Sequence, residues 1–200
     1  MKIYLASGNL HKLSELCDAL ERANLPCVVL SANEIGGMPE VDETGATFED
    51  NALLKAEALC EQGPSNAFYL ADDSGIEIDC LDGRPGVRSA RYAGEDCDDE
   101  ANNDKVLAET ANVPDALRGC RFRCALALVG PGLNETFSGA CEGTLLHQRR
   151  GTGGFGYDPL FQPDESPRTF AEISPEEKAQ ISHRARALSK LVDFLTGRLA

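Results

Sequence analysis

The chain has 200 residues, enough for one domain or one domain of two lobes, and 42% of them are hydrophobic, ample for a packed core. Thirty-three acidic against nineteen basic residues give a formal net charge of −14, which excludes wholesale binding of a nucleic-acid polymer, because phosphate contacts need a basic face. A small anion is not excluded, since a few cations in one pocket reverse the local potential whatever the total.

Lys2 to Ala6 reads as a short buried strand, Ser7-Gly8-Asn9 as a tight loop, and Leu10 to Arg22 as a helix with Leu13, Leu16, Cys17 and Leu20 on one face. Residues 25–30, LPCVVL, suggest a second strand, followed by an irregular acidic stretch from Ser31 to Gly45. Thr47 with Asp50 three residues on resembles a capping pair for a second helix, whose Phe48, Ala52, Ala56 and Leu59 form an apolar stripe. Residues 68–81, FYLADDSGIEIDCL, run from an apolar segment into adjacent Asp72 and Asp73, as at the end of a buried strand, and return to alternating Ile76 and Ile78. After the irregular DGRPGVRSARYAG comes a helix from about Asp98 to Ala111. Phe122, Cys124, Leu126 and Leu128 alternate ahead of Gly130-Pro131-Gly132, and Glu135 to Leu146 reads as a second strand, so the pair predicts a hairpin. The Gly-rich RRGTGGFGYDPLF precedes a last amphipathic helix carrying Ala185, Leu188, Leu191, Val192 and Leu195.

No repeat, linker, signal-peptide-like h-region or run of about eighteen apolar residues interrupts this order. The expectation is one α/β domain over 1–200 with a mixed sheet, soluble, cytoplasmic and without a membrane partner. Eight cysteines show no CxxC pair and no histidine at ligand spacing, which favours buried free thiols over disulfides or zinc.

The chemistry-bearing residues form three groups. Asp and Ser are common at turns, so Asp72-Asp73-Ser74-Gly75 reads equally as a turn; yet neighbours on a strand point to opposite faces, giving the two acids different jobs, one toward backbone amides and one toward a cleft. A carboxylate there suits Mg²⁺, which takes oxygen ligands and usually one or two carboxylates plus substrate phosphates. Glu49-Asp50 offers the second acid, with helix-start stabilisation as the other reading. Ser7, Gly8, Asn9, Leu10, His11 and Lys12 read either as a β-loop-α anion site, without a Walker A pattern, or as an ordinary turn common in α/β folds, and Lys55 is a second phosphate contact or a solvated lysine. In GTGGFGYDPLF, glycines flank Phe155 and Tyr157: a ring there either stacks on a nucleobase or plugs the core. Ser174, Pro175 and Glu177 mark a helix start, and Ser182 caps a second one, leaving Lys178, His183 and Arg184 to face a ligand or water.

In chain order, SGNLHKLSE, TFEDNALLKA, ADDSGIEID, PGVRSARYAG, GTGGFGYDPLF and EEKAQISHRARAL resemble the inosine triphosphate pyrophosphatase (Ham1-like, noncanonical purine NTP pyrophosphatase) family over nearly the whole chain. The resemblance implies an elongated mixed sheet with flanking helices and two lobes bordering a substrate cleft, a cytoplasmic homodimer, and Mg²⁺-dependent hydrolysis of ITP, dITP and XTP to monophosphate and pyrophosphate. It makes Asp73 the base and a metal ligand with Asp50, gives the triphosphate to Ser7 through Lys12, and assigns substrate to Ser74. Phe155, Gly156, Tyr157, Asp158, Lys178, His183 and Arg184 then surround base and sugar. Many members carry Glu where this chain has Asp50, one methylene shorter, which leaves Glu49 as the alternative ligand. Two rivals stand beside this: a pyrophosphatase for other modified nucleotides, and a nucleotide sensor without turnover.

Overall fold

The computed structural model describes residues 1–7, 10–95 and 97–199, with the side chains of Leu10 and His11 also outside the described set; Gly8 and Asn9 fall outside it altogether. The strands are β1 (Lys2–Ala6), β2 (Val28–Ser31), β3 (Phe68–Ile78), β4 (Gly119–Gly130), β5 (Leu133–Leu145) and β6 (Phe161–Pro163). The helices are α1 (Leu10–Arg22), α2 (Phe48–Gln62), α3 (Asp99–Glu109), α4 (Pro175–Ile181) and α5 (His183–Leu199). One six-stranded sheet runs in the order β2-β1-β3-β4-β5-β6. β1 pairs parallel with β2 and β3, opposing Tyr4 to Leu30 and to Tyr69, whereas β5 pairs antiparallel with β6, so the sheet is mixed as expected. None of the described helices is long and apolar enough to cross a membrane.

The chain divides into two compact units, Met1–Asp73 with Cys124–Gly139 and Arg186–Ala200, and Ser74–Arg123 with Ala140–Ala185. In the first, Ile3 and Leu5 of β1, Leu16 and Leu20 of α1, Leu70, Leu126 and Leu128, and Leu188, Leu191 and Leu195 of α5 form one core. Each fully buried leucine adds about 1.5–3 kcal/mol over leaving it exposed. In the second, Ile76, Ile78, Val106, Phe122, Leu160, Phe161 and Phe170 form another.

Local signals explain the boundaries. Thr47 and Asp50 close a reciprocal capping box on α2, as their spacing predicts. Ser174 and Glu177 do the same for α4, and the Ser182 hydroxyl accepts from Ala185 N–H at 3.1 Å, so α5 begins at His183. Pro131 and Gly132 (φ 67°) join β4 to β5.

Three expectations change. The second strand starts at Val28 rather than residue 25. β3 does not end at the acid pair but continues through Asp72 and Asp73 to Ile78, both acids being buried within it. The eight cysteines are free, but only Cys120, Cys124 and Cys141 are buried, and Cys97 is exposed.

Candidate active site

Within the first unit, β3 delivers Asp72 and Asp73 to different partners, as alternation along a strand requires. Asp72 meets the Lys12 ammonium at 2.5 Å and the Cys124 thiol at 3.4 Å. Asp73 meets Lys55 at 2.6 Å, and Asn51 approaches its other oxygen at 3.5 Å. Asn51 and Lys55 stand four apart on α2 and so share a face. The Asn51 carbonyl oxygen also accepts from Gly45 N–H at 2.8 Å, and a Cβ on Gly45 would lie 2.6 Å from that oxygen, so only glycine permits the approach. The chain just before Gly45 thereby brings Glu43 to 3.4 Å from Lys55.

Burial pushes the Asp73 carboxyl up, Lys55 pulls it back by charge and hydrogen bond, and Glu43 and Asp72 push it up again. Three carboxylates, Glu43, Asp72 and Asp73, thus face two ammonium groups, Lys12 and Lys55. This acid-rich, all-oxygen donor set fits a hard divalent cation. Among the described residues no group of three or more His, Cys, Asp or Glu is arranged to hold a metal, so any cation there would take one or two carboxylates from the protein and its remaining ligands from elsewhere.

The acids anticipated beside Asp73 are engaged elsewhere. Asp50 is exposed with its carboxylate on the Thr47 amide at 3.2 Å, and Glu49 accepts from the Ser138 hydroxyl.

The second unit holds an open pocket with a cavity volume of about 120 Å³. Ser74, Phe155, Gly156, Tyr157, Asp158, Lys178, His183 and Arg184 all line it. Phe155 is 45% exposed, and the Lys178 ammonium stands 4.7 Å from its ring centroid. Asp158, itself buried, accepts from Phe155 N–H at 3.0 Å and from Lys178 at 2.5 Å, fixing both. A Cβ on Gly154, where φ is +73°, would fall 2.0 Å from that carboxylate, so the turn needs glycine there. His183 is buried and lies parallel to Phe122, with centroids 4.8 Å apart at 13°. Arg184 is 4% exposed. Both side chains sit in the first turn of α5 and line the pocket.

The two readings of the aromatic pair divide between its members. Phe155 presents its ring, while Tyr157 is a core residue whose hydroxyl donates to the Ser89 carbonyl at 2.7 Å. Burial raises the Tyr157 hydroxyl, with Tyr92 and Asp99 adding to the effect, so it stays a donor. Of the phosphate loop, Ser7 is half-buried and Lys12 is placed as above; Gly8, Asn9 and the side chains of Leu10 and His11 lie outside the described residues. Sequence reasoning missed Glu43, Asn51, Ser89, Asp99 and Phe122. The four-residue spacing of Asn51 and Lys55 was the one available signal for Asn51.

A sequence model described as the Ham1 family matches residues 3–194. A protein of Opitutus terrae named dITP/XTP pyrophosphatase is 47% identical, covering 97% of this chain and 98% of its own length. A Bacillus cereus protein of the same name is 48% identical over 95% and 92%. Among solved structures, the Ham1 protein of Staphylococcus aureus superposes with a TM-score of 0.89 at 38% identity, covering 99% of this chain and 100% of that one. The Coxiella burnetii HAM1 protein gives 0.90 at 38% identity, covering 98% and 99%.

Proposed function

The chain belongs to the Ham1 family, and from that premise we propose that it hydrolyses dITP, ITP and XTP to the nucleoside monophosphate and pyrophosphate, clearing them from the nucleotide pool. The observation that carries the reading is the pocket in which an exposed Phe155 ring lies beside Lys178 and shares its walls with buried His183 and Arg184. That lining suits a flat, oxygen-bearing base better than any plain phosphate ligand. Arg184 donates to the 6-keto oxygen; an adenine amino group there would leave buried donors unpaired, and adenine is rejected for that reason.

Lys12 has three N–H donors and gives one to Asp72, so the remainder serve phosphate oxygens beside the helix start that Ser7 precedes. Lys55 holds Asp73 by charge. Asp73 orients the attacking water toward the α-phosphorus and takes its proton, a task for which a carboxyl raised above its ordinary value is better suited. A divalent cation, Mg²⁺ in this reading, would be held by Asp73 and Glu43, supplying charge neutralisation for the leaving pyrophosphate. The family resemblance supports a cytoplasmic homodimer as part of the same reading.

The deciding experiment measures Mg²⁺-dependent pyrophosphate release from dITP, XTP, dATP, dGTP and dUTP. We expect turnover of dITP and XTP with dATP and dUTP nearly inert. Hydrolysis of dUTP without dITP would sink the purine reading, and tight dITP binding without release would establish a sensor. Phe155→Ala is expected to raise KM for dITP by about 10- to 100-fold, the equivalent of ~1–3 kcal/mol for one stacked base. With its ring already 45% exposed, the melting temperature should shift by less than about 2 °C.

A further inference from the structure

Phe155 and Gly156 sit in a glycine-rich turn. Gly156 has φ +59°, and a Cβ built on it would touch nothing within 4 Å, so no side-chain contact holds its conformation. A glycine populates positive and negative φ about equally, and a free one would let the Phe155 ring wander. Beside the bond from Phe155 N–H to Asp158, a restraint on Gly156 itself comes from α3. Asp99 Oδ2 accepts from Gly156 N–H at 2.6 Å, and Asn103 Nδ2 donates to the Gly156 carbonyl at 2.9 Å.

The Asn103 side chain is the more telling of the two. It is 1% exposed, and its amide nitrogen bridges two carbonyls, Gly156 O and Asp99 O, each at 2.9 Å. Because both neighbours are acceptors, the NH₂ must face them, and the opposite atom, Oδ1, is buried with no hydrogen-bond partner among the described residues. A buried unpaired acceptor is destabilising, and α3 would gain by an apolar residue there unless the Gly156 carbonyl needed a donor. Arg149 ties the start of the same turn to α3 through the Glu100 carbonyl at 3.1 Å and Asp104 at 2.8 Å.

We propose that Asp99 and Asn103 are positioning residues for substrate selection: they clamp Gly156 by its N–H and its C=O and so present the Phe155 ring to the purine. The inference rests on the base-binding role given to Phe155 above. Asp99 acts through Phe155, and its removal weakens nucleotide binding only while that ring is present.

The test is a double-mutant cycle on dITP hydrolysis, with Asp99→Ala, Asp99→Asn, Phe155→Ala and the Asp99→Ala/Phe155→Ala pair. Asp99 is exposed, so its variants should fold; Asn103→Ala, at a buried site, is a second probe read only alongside its melting curve. Asp99→Ala is expected to raise KM roughly ten-fold, the scale of one lost hydrogen bond to a charged acceptor, with the loss falling on KM rather than kcat. Asp99→Asn keeps an acceptor oxygen and should recover most of it. In the Phe155→Ala background, Asp99→Ala should change KM by less than about two-fold. An equal KM effect in both backgrounds, or none with Phe155 intact, overturns the clamp alone. A Phe155→Ala variant with unchanged KM overturns the base-site reading and the clamp together.

Discussion

Asp73→Asn is expected to lower kcat for dITP by at least about 10³-fold while leaving the protein as stable as the parent or more so near neutral pH, since a positioned proton acceptor contributes typically 10²–10⁴-fold. The substitution is nearly isosteric and leaves a carbonyl oxygen for Lys55, which at 2.6 Å is the closest partner of Asp73. What it removes is the charge, and burial, with Glu43 and Asp72 nearby, makes that charge unfavourable enough to outweigh Lys55. The sign follows. An acid whose folded-state pKa is raised binds more protons folded than unfolded between the two values, so stability falls as pH rises through that window. The wild type therefore carries a penalty above the window that Asn lacks, and the two should converge as pH falls below the unfolded value of about 3.8. Melting curves with a chelator present, from pH 3.5 to 7.5, check this. Added Mg²⁺ should then raise the midpoint of the wild type more than that of Asp73→Asn, because ligand linkage scales with the difference in affinity. A destabilised variant would mean that the Lys55 pair outweighs burial and that Asp73 serves the fold first.

Such a pattern, function gained at the expense of stability, also explains which parts of the site were legible in the sequence. The helices were readable because their caps and stripes are local: Thr47 with Asp50, Ser174 with Glu177 and Leu16 with Leu20 lie within one or two turns of each other. The division of labour between Asp72 and Asp73 was readable from alternation alone. Their being mid-strand was not, because buried acids in a strand are tolerable only when cations reach them, and those come from Lys12 and Lys55, 60 and 18 residues away. Asp50 drew two assignments, cap and metal ligand, and its carboxylate on the Thr47 amide fills the first. Glu43 became visible only through the fold, since what brings it to Lys55 is an Asn51 side chain gripping Gly45. Phe155 and Tyr157, aromatics of one glycine-rich turn, differ because the Tyr157 hydroxyl found a buried carbonyl at Ser89.

Arg118 gave no sequence signal at all, and its replacement should have the largest effect on stability. It is 1% exposed, and its guanidinium donates to the Leu145 carbonyl at 2.7 Å, the Leu146 carbonyl at 2.9 Å, the Thr110 carbonyl at 2.7 Å and the Thr110 hydroxyl at 3.2 Å. Burial lowers the affinity of this group for its proton, and the nearby Asp115 carboxylate opposes that effect. A buried ion pair can often be exchanged for apolar residues because both partners can be replaced. Here all but one of the partners named are backbone carbonyls, which no substitution removes, so Arg118→Met should be nearly as damaging as Arg118→Ala. Each is expected to cost about 3–5 kcal/mol and to lower the melting temperature by on the order of 10 °C. Arg121→Met is the control: its guanidinium makes three ion pairs on a partly exposed surface, at Glu77, Asp79 and Glu142, and should cost about 1 kcal/mol or less. Thr110 caps the end of α3, the helix that grips Gly156, so loosening Arg118 should also raise KM for dITP at temperatures where the variant is still folded. If Arg118→Met melted within a degree or two of the parent, the carbonyls would have found other donors, and the hold on α3 would fall to Val106 and the core around it.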